Sequence, residues 1–343
     1  MAPARTIWAV GAGRSRSMDA VHVVGAGGIG CALGYALRAA GVPVVFVEAN
    51  PRKVVAGLRE GVQVERHAPL AARFVSFEGW QPPVGATVLL CTKCFDNGPV
   101  LARLPRGVTL IPIQNGFDPL LAARGHEFEG IASFVSECDA DRPHTRITRA
   151  GELHVGRRSA ETKSPARPEV IDRLAGTQLF RLVEVPVIDP FKHAKLMYNA
   201  AISPLAAMAG IDNGTLLSIS AARRLFFALL EENYRILYEA GIALGRIGPF
   251  RPATVAWILR RRWLAAALAR AFEPSLRGTY CSMAGEIQKG GTEIDHYNGY
   301  LIRLAHQNGT PCTLNQAVYD LVVRLTAERA RPTPMAWRRL AAA

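Results

Sequence analysis

The segment FKHAKLMYNAAISPLAAMAG, residues 191–210, has the composition of a buried helix crossed by one polar stripe. Lys192, Lys195, Asn199 and Ser203 recur three or four residues apart, so they share a helical face among Leu196, Met197, Ala200, Ile202 and Leu205. An ammonium is costly to remove from water, and an apolar helix has no packing use for one. Two readings remain open: a lysine snorkelling from the helix edge, or a charge and a proton kept for chemistry.

A second stretch, VHVVGAGGIGCALGYALRAAG, sets Gly25, Gly27 and Gly30 as G-x-G-x-x-G between a β-rich run and a helical one. The chemistry of such a turn is pyrophosphate binding. Gly25 permits the tight turn, Gly27 lets the backbone approach the phosphates, and Gly30 lets helix and strand pack closely. Gly28 and Ile29 open the helix, where free amides and the dipole favour an anion. The next β-rich run, VPVVFVE, ends at Glu48, eighteen residues after Gly30 (48 − 30). An acid there accepts from a ribose 2′-hydroxyl and repels a 2′-phosphate, which favours NADH. Arg52 and Lys53 in ANPRK are alternative receivers of that phosphate, and Glu48 has a plain reading as a solvated strand end.

Cys91 and Cys94 form a C-x-x-C, a spacing also used for redox and zinc sites. No second pair with zinc spacing accompanies it, and it ends an apolar run, so the six cysteines read as reduced thiols with no metal site.

The elements that must hold these residues follow two periods. Residues 21 to about 115 alternate apolar β-rich runs with helical ones, through ATVLLCTK (86–93) and GVTLIPIQNG (107–116), the mark of a parallel doubly wound sheet. More strand is expected over 131–185, interrupted by the polar RRSAETKSPARPE. Asp189-Pro190 reads as a cap and first turn. Helices are expected over 192–209, 220–241, 253–272, 281–289, 295–308 and about 313–329. The expected fold is α/β: a Rossmann-type sheet over 19–188, then an all-helical domain over 189–330. An extension at 1–18, with a decoy AVGAG, and a frayed tail at 331–343 flank them.

The 343 residues suffice for two domains, at about 150 residues each. The net charge of +13 comes from scattered arginines, with one dense block at 258–272. No nucleic-acid fold signature accompanies that block, which reads as the solvated face of an amphipathic helix. The charge suits anionic ligands by steering. No run reaches the roughly 18 apolar residues of a membrane span. The start lacks a secretory h-region, and a cytoplasmic location without membrane partners is expected. Broad apolar faces in the second half suit a homodimer.

Four further segments join the glycine turn in order: CTKCFD (91–96), IQNG (113–116), AKLMYNAAISPLAAM (194–208) and SMAGEIQKGGTEIDHYNG (282–299). Together they resemble the ketopantoate reductase (2-dehydropantoate 2-reductase) family over about residues 20–325. The resemblance implies a 6-phosphogluconate dehydrogenase C-terminal-like helical domain. It also implies NAD(P)H-dependent reduction of ketopantoate to pantoate, a step toward pantothenate and coenzyme A. Lys195 is then the proton donor to the C2 oxygen as hydride arrives at carbon, its pKa lowered by burial and by Lys192. Glu293 accepts from a substrate hydroxyl and helps keep Lys195 charged. Asn115, Asn199, Ser203 and Ser282 hold the substrate, and Asn115 and Lys93 also lie along the cofactor. Three departures stand out. Ser203 replaces a usual second asparagine, KGGTEID is one residue short and lacks the common arginine, and Ala49 stands where NADPH-using members tend to carry a base. The family's usual cofactor is NADPH, whereas Glu48 and Ala49 lean to NADH. Competing readings are reduction of a different 2-oxo acid, a dinucleotide sensor without turnover, and a flavin domain.

Overall fold

The computed structural model describes residues 18–159, 166–281, 283–334, 336–337 and 340. Residues 1–17 of the expected extension, with their AVGAG, and the substrate candidate Ser282 lie outside them.

The first half runs β1 (Val21–Val24), α1 (Gly28–Ala39), β2 (Val44–Glu48), α2 (Pro51–Glu60), β3 (Gln63–Val64), β4 (Arg73–Ser76), β5 (Thr87–Leu90), α3 (Asn97–Arg103), β6 (Thr109–Pro112) and α4 (Pro119–Arg124). β1 is buried at every position, as a strand covered on both faces must be. The parallel sheet has the order β4-β2-β1-β5-β6. The chain winds outward from β1 to β4 and restarts at β5 on the other side, which opens a crevice at the carboxyl ends of β1 and β5.

Next come β7 (Phe128–Ala132), β8 (Val135–Cys138), β9 (His144–Arg149), β10 (Glu152–Arg157), α5 (Glu169–Ala175) and β11 (Arg181–Val187). They form two three-stranded sheets, β11-β10-β7 and β3-β9-β8, and β7 meets the end of β6 through an Ile113–Gly130 bridge.

From Asp189 onward the chain is helical: α6 (Asp189–Ala209), α7 (Asn213–Ser218), α8 (Ser220–Glu239), α9 (Pro252–Leu259), α10 (Arg262–Leu276), α11 (Asn298–Asn308) and α12 (Thr313–Ala327). Asp189 lies inside the first turn of α6 rather than capping it. Its carboxylate pairs with Arg158 at 3.5 Å. An acid in the first turn still suits the helix dipole.

The expected helix over 253–272 divides at Arg260–Arg261. There the Arg261 guanidinium folds 3.8 Å over the Trp257 ring and donates to the Trp257 carbonyl at 3.0 Å, satisfying an orphaned helix-end acceptor. The expected helix over 281–289 is instead turns and a 3₁₀ segment, Ile287–Lys289. Gly285 (φ 75°) and Gly290 (φ 82°) take left-handed backbone that a helix cannot absorb. The expected tail is in part packed: the Thr333 amide donates to Met208 at 2.8 Å, and Trp337 is buried.

Pro204 sits within α6 and removes the amide that would bond the Ala200 carbonyl. The Asn298 side chain fills the gap, donating to Ala200 O at 2.9 Å and to Asn315 Oδ1 at 2.9 Å. The proline of one motif and the asparagine of the other are thus halves of one device that keeps α6 continuous behind its polar stripe.

Candidate active site

A cavity of about 1530 Å³ lies between the carboxyl edge of the parallel sheet and α6. Its sheet side is the glycine turn. Gly25 adopts φ +93°, and a Cβ on Gly30 would run into the Gly25 carbonyl oxygen, so α1 packs on β1 only with glycine there. At Gly27 the same test meets open space. No side chain caps α1, which leaves its first amides available beside Gly28 and Ile29 on the cavity wall. The Glu48 carboxylate bends over this turn, accepting from Ala26 N at 3.1 Å and Asn50 N at 2.9 Å. A strongly bent backbone with free amides, open space at Gly27 and an acid at the ribose position fits a dinucleotide.

The rivals to Glu48 point elsewhere. Lys53 is buried beneath the turn, where Nζ donates to Ala26 O at 3.2 Å. Arg52 pairs with Asp141 at 3.1 Å. Neither lines the cavity. Cys94 belongs to the same frame as a structural thiol, donating to Asn115 O at 2.9 Å and pinning the start of the QNG turn.

Facing the turn is α6. Lys195, Asn199 and Ser203 all reach the cavity, and Asn115 and Lys93 line it from the ends of β6 and β5. Lys195 is half-buried and makes no hydrogen bond or ion pair among the described residues. Burial, then the nearby Arg149 guanidinium, lowers its ammonium to about 8. The expected role of Lys192 in this shift gives way to Arg149, because Lys192 turns inward to ion-pair with the fully buried Glu129 of β7. It lies 4.6 Å over the Phe117 ring. Burial alone would raise the Glu129 carboxyl, yet Lys192 and His126 hold it at about 2.

Glu293 also differs from expectation. Its partners are Lys93 Nζ at 2.9 Å and the Tyr297 hydroxyl at 3.2 Å, not Lys195. Lys93 is shared with Glu286 at 2.7 Å. Burial opposes charge on Lys93, but these two carboxylates raise it well above the usual lysine range. Burial pushes the Glu286 carboxyl up despite Lys93, and its Oε2 is buried without a donor.

Glu286, Arg149 and His154 are site residues that the motifs did not single out. Glu286 lies within the quoted SMAGEIQ and was legible only as one more acid. Arg149 sits in TRITRAG, where nothing local marks it. His154 lines the cavity against Phe191, at a 5.0 Å ring separation, and burial, then Lys195, lowers its pKa. Four arginines, 149, 181, 246 and 251, stand at the cavity and give it positive potential for anionic ligands.

Known proteins share this fold. The curated 2-dehydropantoate 2-reductase of Archaeoglobus fulgidus is 23% identical over 310 residues, 88% of this chain and 96% of that one. Among solved structures, a PanE/ApbA family ketopantoate reductase from Ralstonia eutropha superposes with TM-score 0.71 at 21% identity, over 90% of this chain and 99% of its own. D-mandelate dehydrogenase in a ternary structure with NADH and anilino(oxo)acetate gives 0.72 at 16% identity, over 90% and 99%. Residues 21–158 match the family model for ketopantoate reductase PanE/ApbA, and residues 188–326 match the model for its C-terminal part. With both halves matched in order and joined across the cavity, the chain belongs to the ketopantoate reductase family of NAD(P)-dependent oxidoreductases.

Proposed function

We propose that the protein reduces a 2-oxo acid to the 2-hydroxy acid, with Lys195 as proton donor and NADH as the preferred cofactor. One observation carries this reading: an unpaired, half-buried ammonium lowered to about 8 shares one cavity with the glycine turn. When bound, the nicotinamide supplies the hydride. The Lys195 ammonium neutralises the charge that develops on the carbonyl oxygen and gives it a proton. Asn199, one turn along α6, and Ser203, one turn further, orient the carboxylate. Asn115 presents its side chain from the sheet edge. Glu293 and Lys93 act as a pair, with the carboxylate fixed by Tyr297 and the ammonium directed along the cofactor. NADH is favoured because Glu48 overhangs the turn while Arg52 and Lys53 are engaged away from it.

The test is nucleotide oxidation with ketopantoate, the acid for which the curated relatives are named, and with other 2-oxo acids, using NADH and NADPH in parallel. Turnover that is faster with NADH and lost in Lys195→Ala is expected. Equal rates for the wild type and Lys195→Ala would remove the lysine from the chemistry.

A further inference from the structure

The cavity has to take both a dinucleotide and a substrate, and its wall continues past the glycine turn and the α6 stripe into the helical half of the chain. Beyond the Lys195–Asn199–Ser203 stripe, the wall is built by Ile202 of α6, Phe226 and Leu230 of α8, Ile258 of α9, and Leu268 and Phe272 of α10. Phe226, Leu230 and Ile258 are already buried, 9%, 3% and 8% exposed, so this lobe is bounded by core side chains and is no surface groove. Phe250 closes on Phe272 edge-on at 6.2 Å. α9 packs on α8 and α10 on α7, and both bring apolar side chains to this wall.

We infer that the substrate is a 2-oxo acid with a bulky apolar side chain, branched alkyl or aryl, seated in this lobe while its carboxylate and ketone meet the α6 stripe. This rests on the 2-oxo acid reductase reading above and specifies it. The same helix presents both surfaces: Lys195 and Asn199 meet the reacting end, and Ile202, seven residues beyond Lys195 (202 − 195), meets the side chain. An apolar wall gains binding free energy with each carbon it removes from water. It gives a hydroxyl no such gain. Among the described residues, the helical part of the cavity wall carries one buried acceptor without a donor, Asn213 Oδ1 on α7, while the sheet side carries Ser136 Oγ, Glu137 Oε1 and His154 Nδ1, also buried without partners.

Steady-state kcat/KM on the purified protein tests this with four acids. Pyruvate supplies only a methyl group. Phenylpyruvate and 4-methyl-2-oxopentanoate supply apolar bulk. Ketopantoate is paired with 3,3-dimethyl-2-oxopentanoate, in which a methyl replaces its hydroxyl. Phenylpyruvate or 4-methyl-2-oxopentanoate is expected to exceed pyruvate by at least about 100-fold, since a single methylene in an apolar pocket is worth about 10–200-fold. The methyl isostere is expected to equal or exceed ketopantoate. A site built to bind the hydroxyl rejects the analogue lacking it by about 10⁴–10⁵. Ketopantoate preferred over its isostere by even tenfold would therefore overturn the inference and point to Asn213 as the hydroxyl's partner. Ile202→Ser is expected to lower the phenylpyruvate-to-pyruvate ratio about tenfold, and an unchanged ratio counts against the lobe. The two readings fail differently. No turnover of any acid with either nucleotide sinks the reductase, whereas turnover confined to pyruvate and ketopantoate sinks only the apolar side chain.

Discussion

Lys192 and Lys195 stand three residues apart on α6, yet their surroundings treat them as different kinds of group. Lys192 points into the joint between the two halves of the chain, pairs with Glu129 and caps the Phe117 ring. Glu129 in turn takes His126 at 3.0 Å and Arg158 at 3.1 Å, so the buried charge is fully partnered. Lys195 points into the cavity, is lowered to about 8 by burial and then by Arg149, and in turn lowers the pKa of His154. Burial alone does not make a lysine reactive. A paired ammonium is fixed in its charge and in its place, whereas an unpaired one stays near the pH at which a proton can be given and recovered.

The two sites should therefore break in opposite ways. Lys195→Met is expected to cut the turnover number for reduction by about 10²–10⁴, the usual worth of a positioned general acid. Its thermal midpoint should hold or rise, because an uncompensated charge has left a half-buried position. A midpoint that falls with activity retained would reverse the assignment. Lys192→Met is expected to cost about 3 kcal/mol of stability, the low end for breaking a buried pair, since His126 and Arg158 still face Glu129. Denaturant unfolding measures this. Lys192→Met combined with Glu129→Gln should recover part of the loss, and if it recovers none the pair is not what holds the joint.

The difference between the two lysines was only half legible in the sequence. Their spacing gave the shared face, but a face spans enough arc for one side chain to enter the core and the next to enter a cleft. Glu129, which decides the matter, is 63 positions from Lys192 and has no local signature. The glycine turn was legible because its constraints are local: a left-handed Gly25 and a Gly30 too close to a carbonyl for any Cβ. Strand and long-helix order followed from apolar periodicity. The segment at 281–289 did not, because Gly285 and Gly290 overrule a helical pattern of Met283 and Ile287. The resemblance sets the TEID glutamate beside Lys195, whereas its carboxylate meets Lys93. Lys93 lies 200 positions away, and only the fold shows that the end of β5 meets the turn before α11.

The same comparison predicts two pH limits. Glu129 is depressed to about 2 in the fold, against about 4.3 for a free glutamate. Its contribution to stability is complete above about pH 4.3 and is lost as pH falls toward 2. Acid titration of the unfolding free energy should show this limb in the wild type and a weaker one in Glu129→Gln. Lys195 sets the other limit, on rate. Reduction needs the charged form, so kcat/KM for the 2-oxo acid should be flat near neutrality and fall tenfold per unit above about pH 8. A profile that stays level to pH 10 would contradict an ammonium lowered by the cavity.

The smallest expected effect isolates the second cause of that shift. Arg149 is exposed and lines the cavity, so its repulsion of Lys195 acts partly through water and salt. In Arg149→Met the alkaline limb should move up by only a few tenths of a unit, ~0.3–0.5 at low salt. Because burial is the first cause, the lysine stays lowered without the arginine. Salt separates the two contributions. At about 1 M the screening length shortens to roughly 3 Å and the wild-type and variant limbs should converge, leaving both below the ordinary lysine value of about 10.4. A limb in Arg149→Met that jumps most of the way to that value would mean that the arginine, and not the closed wall around α6, tunes the proton donor.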